Sequence, residues 1–247
     1  MAERPDQRRA DQLRPVTFQA GFQKHPAGSV LVGFGNTRVI CSVCVTDGVP
    51  RWMRPDDPRG WLTAEYQMLP GATAERSPRE VARGQLSGRS SEIQRLVGRS
   101  LRATLDLTRI PGRTLYVDCD VLDADGGTRC AAVTGACVAL ELALLKLLAT
   151  GVIRDWPMTR HVAAVSVGMV ANEPVLDLCY QEDSTAAVDM NVVMTSSGQF
   201  VEVQGTAEHE PFSREQMDRM LGLAEGGIRE LFRLQKEAVQ SAAGRAL

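Results

Sequence analysis

The run from Thr128 to Ala149 is apolar on nearly every side of the helix that it predicts. A helix at a protein surface keeps a polar face, so a helix without one belongs at the centre of a domain. The run follows an alternating, strand-like segment, Leu115–Val121, and further strand patterns lie on both sides of it along the chain. The sequence therefore predicts an α+β fold, with helices packed on mixed, largely antiparallel sheets.

Three β-hairpins are predicted where extended runs flank turn residues. They are Ser29–Phe34 with Thr37–Thr46, Val162–Val170 with Pro174–Tyr180, and Val188–Thr195 with Gln199–Val203. Val16–Phe22 and Trp61–Leu69 are two further extended segments. A helix with one apolar stripe spans about Ser91–Leu105, and Ser213 with Gln216 forms a capping box that begins the last helix.

With 247 residues and 44% apolar content, the chain is long enough for one large domain with a substantial core. We expect a single domain over residues 13–247 and a flexible tail over residues 1–12, because the first residues are polar and rich in arginine. They hold no apolar segment of a secretory signal, and no run approaches the ~20 apolar residues of a membrane helix. The expected location is therefore the cytoplasm, with no membrane partner.

The six cysteines lie inside apolar runs, where free thiols behave as small hydrophobic groups. Cys41 and Cys44 form a CxxC pair, a spacing found in zinc and redox sites. The sequence holds no second such pair, and an i,i+3 spacing in a strand sends the two thiols to opposite faces. We therefore interpret the pair as structural, and the sequence leaves any redox role of Cys41 and Cys44 open.

A Gly-Gly turn within the segment Asp125–Arg129 precedes the central helix. Two glycines before a helix leave backbone N–H groups pointing outward at the positive end of the helix macrodipole. Thr128 adds a hydroxyl group and Arg129 adds a fixed cation to the first turn of the helix. The combination predicts an anion site, most simply for phosphate. A plain turn is the alternative, because most Gly-Gly pairs serve only to turn the chain.

The net charge of the chain is only −2, but its arginines are unevenly placed. The window from Arg76 to Arg113 holds nine arginines, three acidic residues and no lysine. In the helix predicted there, Arg95, Arg99 and Arg102 share one face, away from the apolar stripe. Such an excess of positive charge is typical of a protein with a polyanion partner. A solvated surface, or a subunit interface rich in ion pairs, is the alternative.

Four carboxylates in the second half of the chain are candidates for catalysis or metal binding: Asp177, Glu182, Asp183 and Asp189. Alternation along Val188–Thr195 leaves Asp189 opposite an apolar face, and a turn of small residues brings Asp183 toward it. Two carboxylates near a phosphate suit Mg²⁺, and one of them can instead protonate a leaving group. Turn capping is the alternative for both. Asp118 and Asp120 form a rival pair on one face of the strand before the Gly-Gly turn.

Several longer motifs resemble the ribonuclease PH family in residue type and in order. They are Phe34–Thr37, Thr63–Tyr66, Gly88–Leu96, Asp118–Leu122, Ala124–Arg129, Thr134–Ala136, Glu182–Asp183 with Asp189–Asn191, and Glu202–Glu208. The resemblance extends from about Arg14 to Gln235, which is nearly the whole chain. It implies a ribonuclease PH-like fold with pseudo-two-fold βαβα halves, shared with the ring subunits of exosomes.

The resemblance also implies an activity. Members of the family are phosphorolytic 3′→5′ exoribonucleases, or tRNA nucleotidyltransferases, in which inorganic phosphate attacks the terminal phosphodiester and a nucleoside 5′-diphosphate is released reversibly. The implied substrates are tRNA precursors, with ribosomal RNA 3′ ends as a further class. The implied assembly is a ring-shaped homo-hexamer, a trimer of dimers.

Roles carry over from the family residue by residue. The resemblance implies a phosphate site made of Arg89, Gly127, Thr128 and Arg129. It implies that Asp183 and Asp189 are the catalytic acids, which hold Mg²⁺ or a similar divalent cation or act as the general acid. The RNA-binding arginines implied by the resemblance are Arg76, Arg79, Arg83, Arg95, Arg99 and Arg102. Cys130 and Ser90-Ser91 depart from the threonine-rich versions expected at the edges of this site, without removing an assigned group.

Two other classes of function stay open at this point. The first is a catalytically silent, RNA-binding ring subunit, against which the retained Arg89, Arg129, Asp183 and Asp189 argue. The second is a phosphate-dependent enzyme of nucleotide metabolism that acts on small substrates. The spread of the arginine cluster over some forty residues is more than a small ligand requires.

Overall fold

Two β-sheets form the frame of the computed structural model, which describes residues 4–54, 56–208 and 210–244, with the side chains of all of these except Val81 and Arg83. The first sheet has five strands, in the order β1-β2-β3-β5-β4. Its strands are β1 (Val16–Ala20), β2 (Gly28–Phe34), β3 (Thr37–Asp47), β4 (Trp61–Met68) and β5 (Arg113–Asp123). Neighbouring strands are antiparallel except β4 and β5, which run parallel.

The second sheet has four antiparallel strands, in the order β7-β6-β8-β9. Its strands are β6 (Val162–Val170), β7 (Glu173–Leu176), β8 (Val188–Thr195) and β9 (Phe200–Ala207). The helices are α1 (Gly88–Arg102), α2 (Thr128–Ala149), α3 (Tyr180–Asp183) and α4 (Arg214–Ala243), with short 3₁₀ turns at Glu80–Arg83 and Leu107–Arg109. The predicted α+β class and all three predicted hairpins are confirmed.

Helix α2 lies between the two sheets, where it packs against β2, β3 and β6. By length and apolar composition alone it is able to cross a membrane, which differs from the expectation that no run approaches that length. Most of the helix is buried among the strands instead. Its apolar composition is therefore that of a core helix, and one hydrophobic core joins the inner faces of both sheets.

Several elements differ in extent from the sequence prediction, including β1, which ends at Ala20, and α1, which ends at Arg102. Helix α1 begins at Gly88, three residues before the predicted Ser91, because the hydroxyl group of Ser87 accepts the backbone N–H of Ser90 at 3.0 Å. The predicted strand Pro174–Tyr180 ends at Leu176, because the next residue takes the left-handed conformation, with φ of 57°. The chain then turns into α3, and Asp177 lies outside the strand in which it was predicted.

Residues 4–12, which the sequence predicts to be part of a flexible tail, lie against the second sheet. The backbone N–H of Leu176 donates to the carbonyl oxygen of Ala10 at 2.8 Å. Arg4 is only 4% exposed. We expected a flexible tail because these residues are polar. In the structure, polar side chains of this segment instead bind buried partners that are far away in the sequence. Residues 1–3 lie outside the described part of the chain.

Candidate active site

The Gly-Gly turn before α2 has a backbone that only glycine adopts without strain. Gly126 and Gly127 have φ of 74° and 66°, in the left-handed region. A Cβ atom on Gly126 would lie 2.7 Å from the carbonyl oxygen of Leu178, and one on Gly127 would lie 2.9 Å from Nη2 of Arg14. The turn is therefore packed directly against the segment that leads into α3.

Hydrogen bonds from the first sheet and from α3 fix the same turn. The hydroxyl group of Thr37 donates to the carbonyl oxygen of Gly126 at 2.7 Å and accepts the backbone N–H of Asp125 at 2.9 Å. The carboxylate of Asp125 accepts the side-chain amide of Asn36 at 3.1 Å and the backbone N–H of Tyr180 at 3.2 Å. The start of α2 is thus tied both to the β2–β3 turn and to the start of α3.

The N-terminus of α2 offers backbone donors beside this turn. Gly127 is the N-cap residue and has no side chain with which to cap the helix. The carbonyl oxygen of Gly127 accepts the N–H of Ala131 at 3.0 Å, so the N–H groups before Ala131 have no partner within the helix. They lie at the positive end of the helix macrodipole. The turn therefore has the form of an anion site, and phosphate binding there stays a prediction.

Thr128 is more enclosed than the sequence suggests. It is 3% exposed, and the hydroxyl group of Tyr66 donates to its Oγ1 at 2.8 Å. Burial raises the pKa of Tyr66, while the bond to Thr128 and the nearby charges of Arg89 and Arg129 offset part of that rise. Tyr66 is thus a site residue that the sequence prediction missed. It joins β4 to the first turn of α2, close to both arginines.

Arg129 is the point where α1, α2 and the second sheet meet. Its Nη1 donates to Oε1 of Gln204 at 2.9 Å and lies 3.7 Å from a carboxylate oxygen of Glu92. The side-chain amide of Gln204 donates in turn to Glu92 and to Glu202, at 2.9 Å each. The guanidinium is therefore held in place by partners on β9 and α1, and its ion pair with Glu92 is long enough to leave it available to an anion.

Asp183 ends α3, and Asp189 lies on β8. Burial raises the pKa of both carboxyl groups, although Asp183 keeps contact with solvent. The charge of Asp183 raises the pKa of Asp189 further, while Arg129 lowers the pKa of both and Arg89 that of Asp183. The two predicted acids and the two predicted phosphate-binding arginines therefore form one cluster of interacting charges. Glu208 also belongs to it, since its charge raises the pKa of both acids.

Asp177, another of the four candidate acids, is a buried structural carboxylate. It is 1% exposed and forms a two-pronged ion pair with Arg14, whose Nε and Nη2 lie 3.0 and 2.7 Å from its oxygens. Arg14 also donates from Nη1 to the carbonyl oxygen of Asp125 at 2.5 Å. The Arg14–Asp177 ion pair therefore holds the Gly-Gly turn in place. Both carboxylate oxygens of Asp177 are engaged by Arg14 and are not available to a substrate.

Glu182 is structural for the same reason. It is 3% exposed, and its two carboxylate oxygens accept Nε and Nη2 of Arg4 at 2.6 and 2.9 Å. It also accepts the backbone N–H of Cys179 at 3.0 Å, and Arg8 lies 3.5 Å away. Burial alone raises the pKa of Glu182, but the bonds from Arg4 and Cys179 outweigh it, so the pKa lies below its ordinary value. The N-terminal segment thus anchors α3, which carries Asp183.

The rival acids Asp118 and Asp120 lie on the opposite side of the first sheet from the Gly-Gly turn. Burial and the charge of Glu65 on β4 raise the pKa of both. Between them on β5, Cys119 is buried and faces α2, as alternation predicts. Asp118 and Asp120 therefore lie on a different face of the sheet from the predicted anion site at the N-terminus of α2.

The predicted RNA-binding arginines fall into three groups. Arg76, Arg79 and Arg95 are exposed. Arg99 forms an ion pair with Glu202 at 2.8 Å, and Arg102 donates to the carbonyl oxygen of Leu62 at 3.0 Å. The side chain of Arg83 lies outside the described part of the protein. RNA binding by these residues stays a prediction.

The cysteines have the arrangement that alternation predicts. Cys41 is buried and Cys44 is exposed, so the CxxC pair points to opposite faces of β3. All six cysteines are free thiols. Across the described residues, no cluster of three or more His, Cys, Asp or Glu side chains is arranged to hold a metal. A zinc site of the kind that needs protein ligands alone therefore has no support in the part of the chain described.

A cleft of about 470 Å³ lies in front of this cluster. Arg129, Asp189, Asn191 and Gln204 line it, together with Glu92. A larger cavity of about 700 Å³ lies elsewhere, lined mostly by apolar and small residues with two lysines, and without any carboxylate or arginine. Because the smaller cleft brings the guanidinium of Arg129, in the first turn of α2, together with the carboxylates of Asp189 and Glu92, it is the candidate active site. Its chemistry suits the binding of an anion beside groups that hold a cation or move a proton.

Solved structures of low sequence identity share this fold. The crystal structure of rice (Oryza sativa) Rrp46 superposes with a TM-score of 0.79 at 19% identity, covering 96% of this chain and all of that one. A chain of the Archaeoglobus fulgidus exosome with RNA bound to the active site superposes with a TM-score of 0.77 at 24% identity, covering 94% of this chain and 92% of that one. These likenesses establish the architecture.

Sequence comparisons establish the family. Residues 12–146 match domain 1 of the 3′ exoribonuclease family, and residues 161–227 match domain 2. Ribonuclease PH of Corynebacterium kroppenstedtii is 58% identical over 236 residues, which span 96% of this chain and 92% of that protein. With both family domains in order and a close relative along nearly its whole length, the chain belongs to the ribonuclease PH family of 3′ exoribonucleases.

Proposed function

We propose that the protein shortens tRNA precursors from the 3′ end, with inorganic phosphate as the attacking group and nucleoside 5′-diphosphates as products. It is then a phosphate-dependent exoribonuclease, that is, a nucleotidyltransferase. The observation that carries the proposal is the cluster at the start of α2, where Arg129 lines one cleft with Asp189 and its charge also acts on Asp183. The 58% identical relative, named Ribonuclease PH, supports the same reaction.

Phosphorolysis requires two anions to approach each other. Orthophosphate must lie in line with the terminal phosphodiester, and two unit negative charges about 5 Å apart repel by about 3 kcal/mol at an effective dielectric constant of about 20. We assign the neutralising charge to Arg89, to Arg129 and to the backbone donors at the start of α2. The fixed position of Arg129, held by Gln204, supports this role because a preorganised cation needs no rearrangement during the reaction.

The bond changes balance without water. An oxygen of orthophosphate forms a bond to the terminal phosphorus, the bond from that phosphorus to the 3′-oxygen of the remaining RNA breaks, and the 3′-oxygen takes up a proton. A phosphodiester is exchanged for a phosphoanhydride, so the reaction runs in both directions. Asp189 is suited to deliver or receive that proton, because burial and Asp183 raise its pKa toward the range of a working acid.

The same two carboxylates fit Mg²⁺ or a similar divalent cation. Mg²⁺ is often held by one or two protein carboxylates and completes its coordination with water and substrate phosphates, so a cluster of three protein ligands is not required. When bound, such an ion would neutralise phosphate charge as a Lewis acid. A cation between the two would offset the effect of burial and of the charge of Asp183, both of which raise the pKa of Asp189.

The finer points of the proposal concern partners and location. The exposed Arg76, Arg79 and Arg95 support an RNA path along α1 and the segment before it. A homo-hexameric ring and the trimming of ribosomal RNA 3′ ends follow from family resemblance. Six free cysteines support a reducing compartment such as the cytoplasm.

A catalytically silent RNA-binding ring subunit is the second candidate. It retains a basic surface but needs neither a preorganised arginine nor interacting acids, so the Arg129–Asp189 cleft counts against it. An enzyme acting on small nucleotides is the third candidate, and RNA would fail to compete with its substrate. Release of labelled nucleoside diphosphate from RNA separates the first proposal from both.

The direct experiment is incubation with a tRNA that carries a short 3′ extension, in buffer with or without phosphate. We expect the extension to be removed only with phosphate, with nucleoside diphosphates as the products. Equal removal without phosphate, or release of monophosphates, would mean that the chain is a hydrolase. Absence of shortening under both conditions would favour the silent subunit.

A further inference from the structure

Trp52 is an exposed aromatic side chain on an anchored loop. It is 67% exposed, the largest exposed fraction among the large hydrophobic residues of the described chain. The next residue, Met53, is 7% exposed, and its backbone N–H donates to the carbonyl oxygen of Pro50 at 2.9 Å. On the other side of the loop, the N–H of Gly60 donates to the carbonyl oxygen of Leu107 at 2.9 Å. The loop thus presents an indole to solvent while its ends are held by the body of the protein.

Trp52 stands on a second tryptophan that an arginine holds in place. The Trp52 and Trp61 rings meet edge to face, with centroids 4.8 Å apart and an interplanar angle of 89°. The guanidinium carbon of Arg102 lies 4.9 Å from the centroid of the Trp61 ring, while Nη1 of Arg102 donates to the carbonyl oxygen of Leu62. Trp61 is therefore a packed support, and Trp52 is left with an open face. We call Trp52, Trp61 and Arg102 the tryptophan platform.

The platform lies at the far end of α1 from the candidate active site. Arg89 is in the first turn of this helix, near Asp183, and Arg102 is its last residue. Thirteen residues at about 1.5 Å each separate the two by about 20 Å. Arg95 and Arg99 lie between them and line one surface depression with Glu92, which itself borders the catalytic cleft. Arginine side chains, of which Arg95 is exposed and Arg99 is paired with Glu202, therefore occur along α1 between the cleft and the platform.

The loop adds charge of the same sign. Arg51 and Arg54 are exposed, and Arg59 forms an ion pair with Asp57 at 2.8 Å. With Asp56, the loop carries three arginines and two acids, an excess of one positive charge. An exposed aromatic ring beside a basic track is the combination by which proteins hold single-stranded nucleic acid, because every base has a face to stack and every linkage has a negative charge.

We infer that the tryptophan platform binds the RNA substrate upstream of its 3′ end, by stacking one base on Trp52. The inference rests on the proposed function, because the catalytic cleft sets the position of the 3′ end. A distance of about 20 Å corresponds to about six stacked nucleotides at about 3.4 Å each. RNA must therefore reach back by roughly this length before Trp52 contributes. Trp52 is a binding residue, and the bond-breaking step does not involve it.

Single-stranded oligonucleotides of increasing length test the inference, with phosphate-dependent shortening by Trp52→Ala and wild type as the measurement. For oligomers of about nine or more nucleotides we expect Trp52→Ala to raise KM about 5- to 100-fold, the range for loss of one base–aromatic stack. For trimers we expect no change, because their 5′ end does not reach the platform. The KM for phosphate stays at the wild-type value at every length.

Two further variants control for folding and for general loss of aromatic surface. Trp52→Phe keeps a stacking face and should recover most of the wild-type KM for long RNA. Phe22→Ala removes an exposed aromatic residue just beyond β1, at the opposite edge of the same sheet from β4, and should leave KM unchanged. The thermal unfolding midpoint of Trp52→Ala should match wild type, since the indole is mostly exposed.

The possible failures are distinguishable. If wild type shortens long and short oligomers with phosphate but Trp52→Ala shows the same KM at all lengths, the platform does not bind RNA and the proposed function stands. If Trp52→Ala changes the oligomeric mass in light scattering, Trp52 is a subunit contact and the inference is overturned. If wild type shortens no RNA, the proposed function itself fails.

Discussion

Glu182 and Asp183 are neighbours in the sequence and end the same short helix, yet they have opposite environments. Glu182 is 3% exposed, is bound by Arg4 and by the Cys179 amide, and has a pKa below its ordinary value. Asp183 keeps contact with solvent, interacts with Arg89 and Arg129 only through longer-range charge, and has a raised pKa. One carboxylate has all its acceptors engaged, and the other keeps them available.

The same contrast separates Asp177 from Asp189. Asp177 is locked to Arg14 beneath the Gly-Gly turn, whereas Asp189 faces the cleft and is repelled by Asp183. Buried charges with complete hydrogen bonding hold the frame, and removal of one partner is costly. Carboxylates that have a raised pKa and oxygens free to accept a hydrogen bond are suited to bind substrate or move a proton. The fold thus uses one pair of acids to position the other.

The largest expected effect comes from removing a working acid. Asp189→Asn should lower kcat about 10²- to 10⁴-fold, the usual range for loss of general acid–base catalysis. RNA binding should persist, because the basic surface is unchanged. The measurement is phosphate-dependent shortening of a 3′-extended tRNA beside RNA affinity by filter binding. A variant that retains full kcat would remove Asp189 from the mechanism.

Breaking a structural pair should reduce stability rather than chemistry. Glu182→Gln leaves the buried guanidinium of Arg4 without its countercharge, which costs about 3–5 kcal/mol. In a chain of this size that lowers the Tm by about 6–20 °C. Glu75→Gln, at an exposed loop position, is the matched control and should leave the Tm unchanged. A Glu182→Gln protein as stable as wild type would show that the N-terminal segment does not anchor α3.

Loss of Arg129 should act on phosphate more than on RNA. Arg129→Ala removes one charge-assisted hydrogen bond to the attacking anion, worth about 1.5–3 kcal/mol, and should raise the KM for phosphate about 10- to 100-fold. Arg229→Ala, on the exposed face of α4, should leave it unchanged. Steady-state kinetics with varied phosphate decide the point. An unchanged phosphate KM in Arg129→Ala would place the anion elsewhere.

The smallest effect is a difference of sign in the pH dependence of stability. Because the folded pKa of Glu182 is lowered, wild type should exceed Glu182→Gln in stability above about pH 4.5 and lose that advantage as the pH falls through the folded pKa. Because the folded pKa of Asp189 is raised, Asp189→Asn should have a higher Tm than wild type at neutral pH and should lose that gain below about pH 3.8. Melting curves from pH 3 to pH 8 measure both. Parallel curves for the two variants would refute the contrast.

Local patterns in the sequence were sufficient for the elements that carry the site. The bounds of α2, the presence of the three hairpins and the alternation that buries Cys119 but leaves Asp118 only partly buried depend on neighbours in the chain, and the structure has them as predicted. The Gly-Gly turn was likewise visible in the sequence, as two glycines before a helix. Of the six residues implied as phosphate-binding or catalytic, three lie in sequence at the start of α2, and the other three interact through charge with one another or with Arg129.

The supports of the site were not visible in the same way. Arg14 reaches Asp177 across 163 residues and Arg4 reaches Glu182 across 178, and no local pattern marks such pairs. The polarity of residues 1–12 therefore suggested a free tail. Tyr66 also escaped notice, because a tyrosine in a strand is ordinarily a core residue, and its bond to Thr128 depends on how α2 packs on the first sheet. Which acid works and which one holds the frame is likewise a tertiary property.

The central claim is that orthophosphate, held at the start of α2 and by Arg129, is the group that attacks the RNA terminus. The most direct measurement is to supply radiolabelled orthophosphate with an unlabelled 3′-extended tRNA and to identify the labelled product. The account predicts that the label appears in nucleoside diphosphates, at the β-position, in step with shortening of the RNA. Shortening that proceeds with unlabelled nucleoside monophosphates as the product would contradict it.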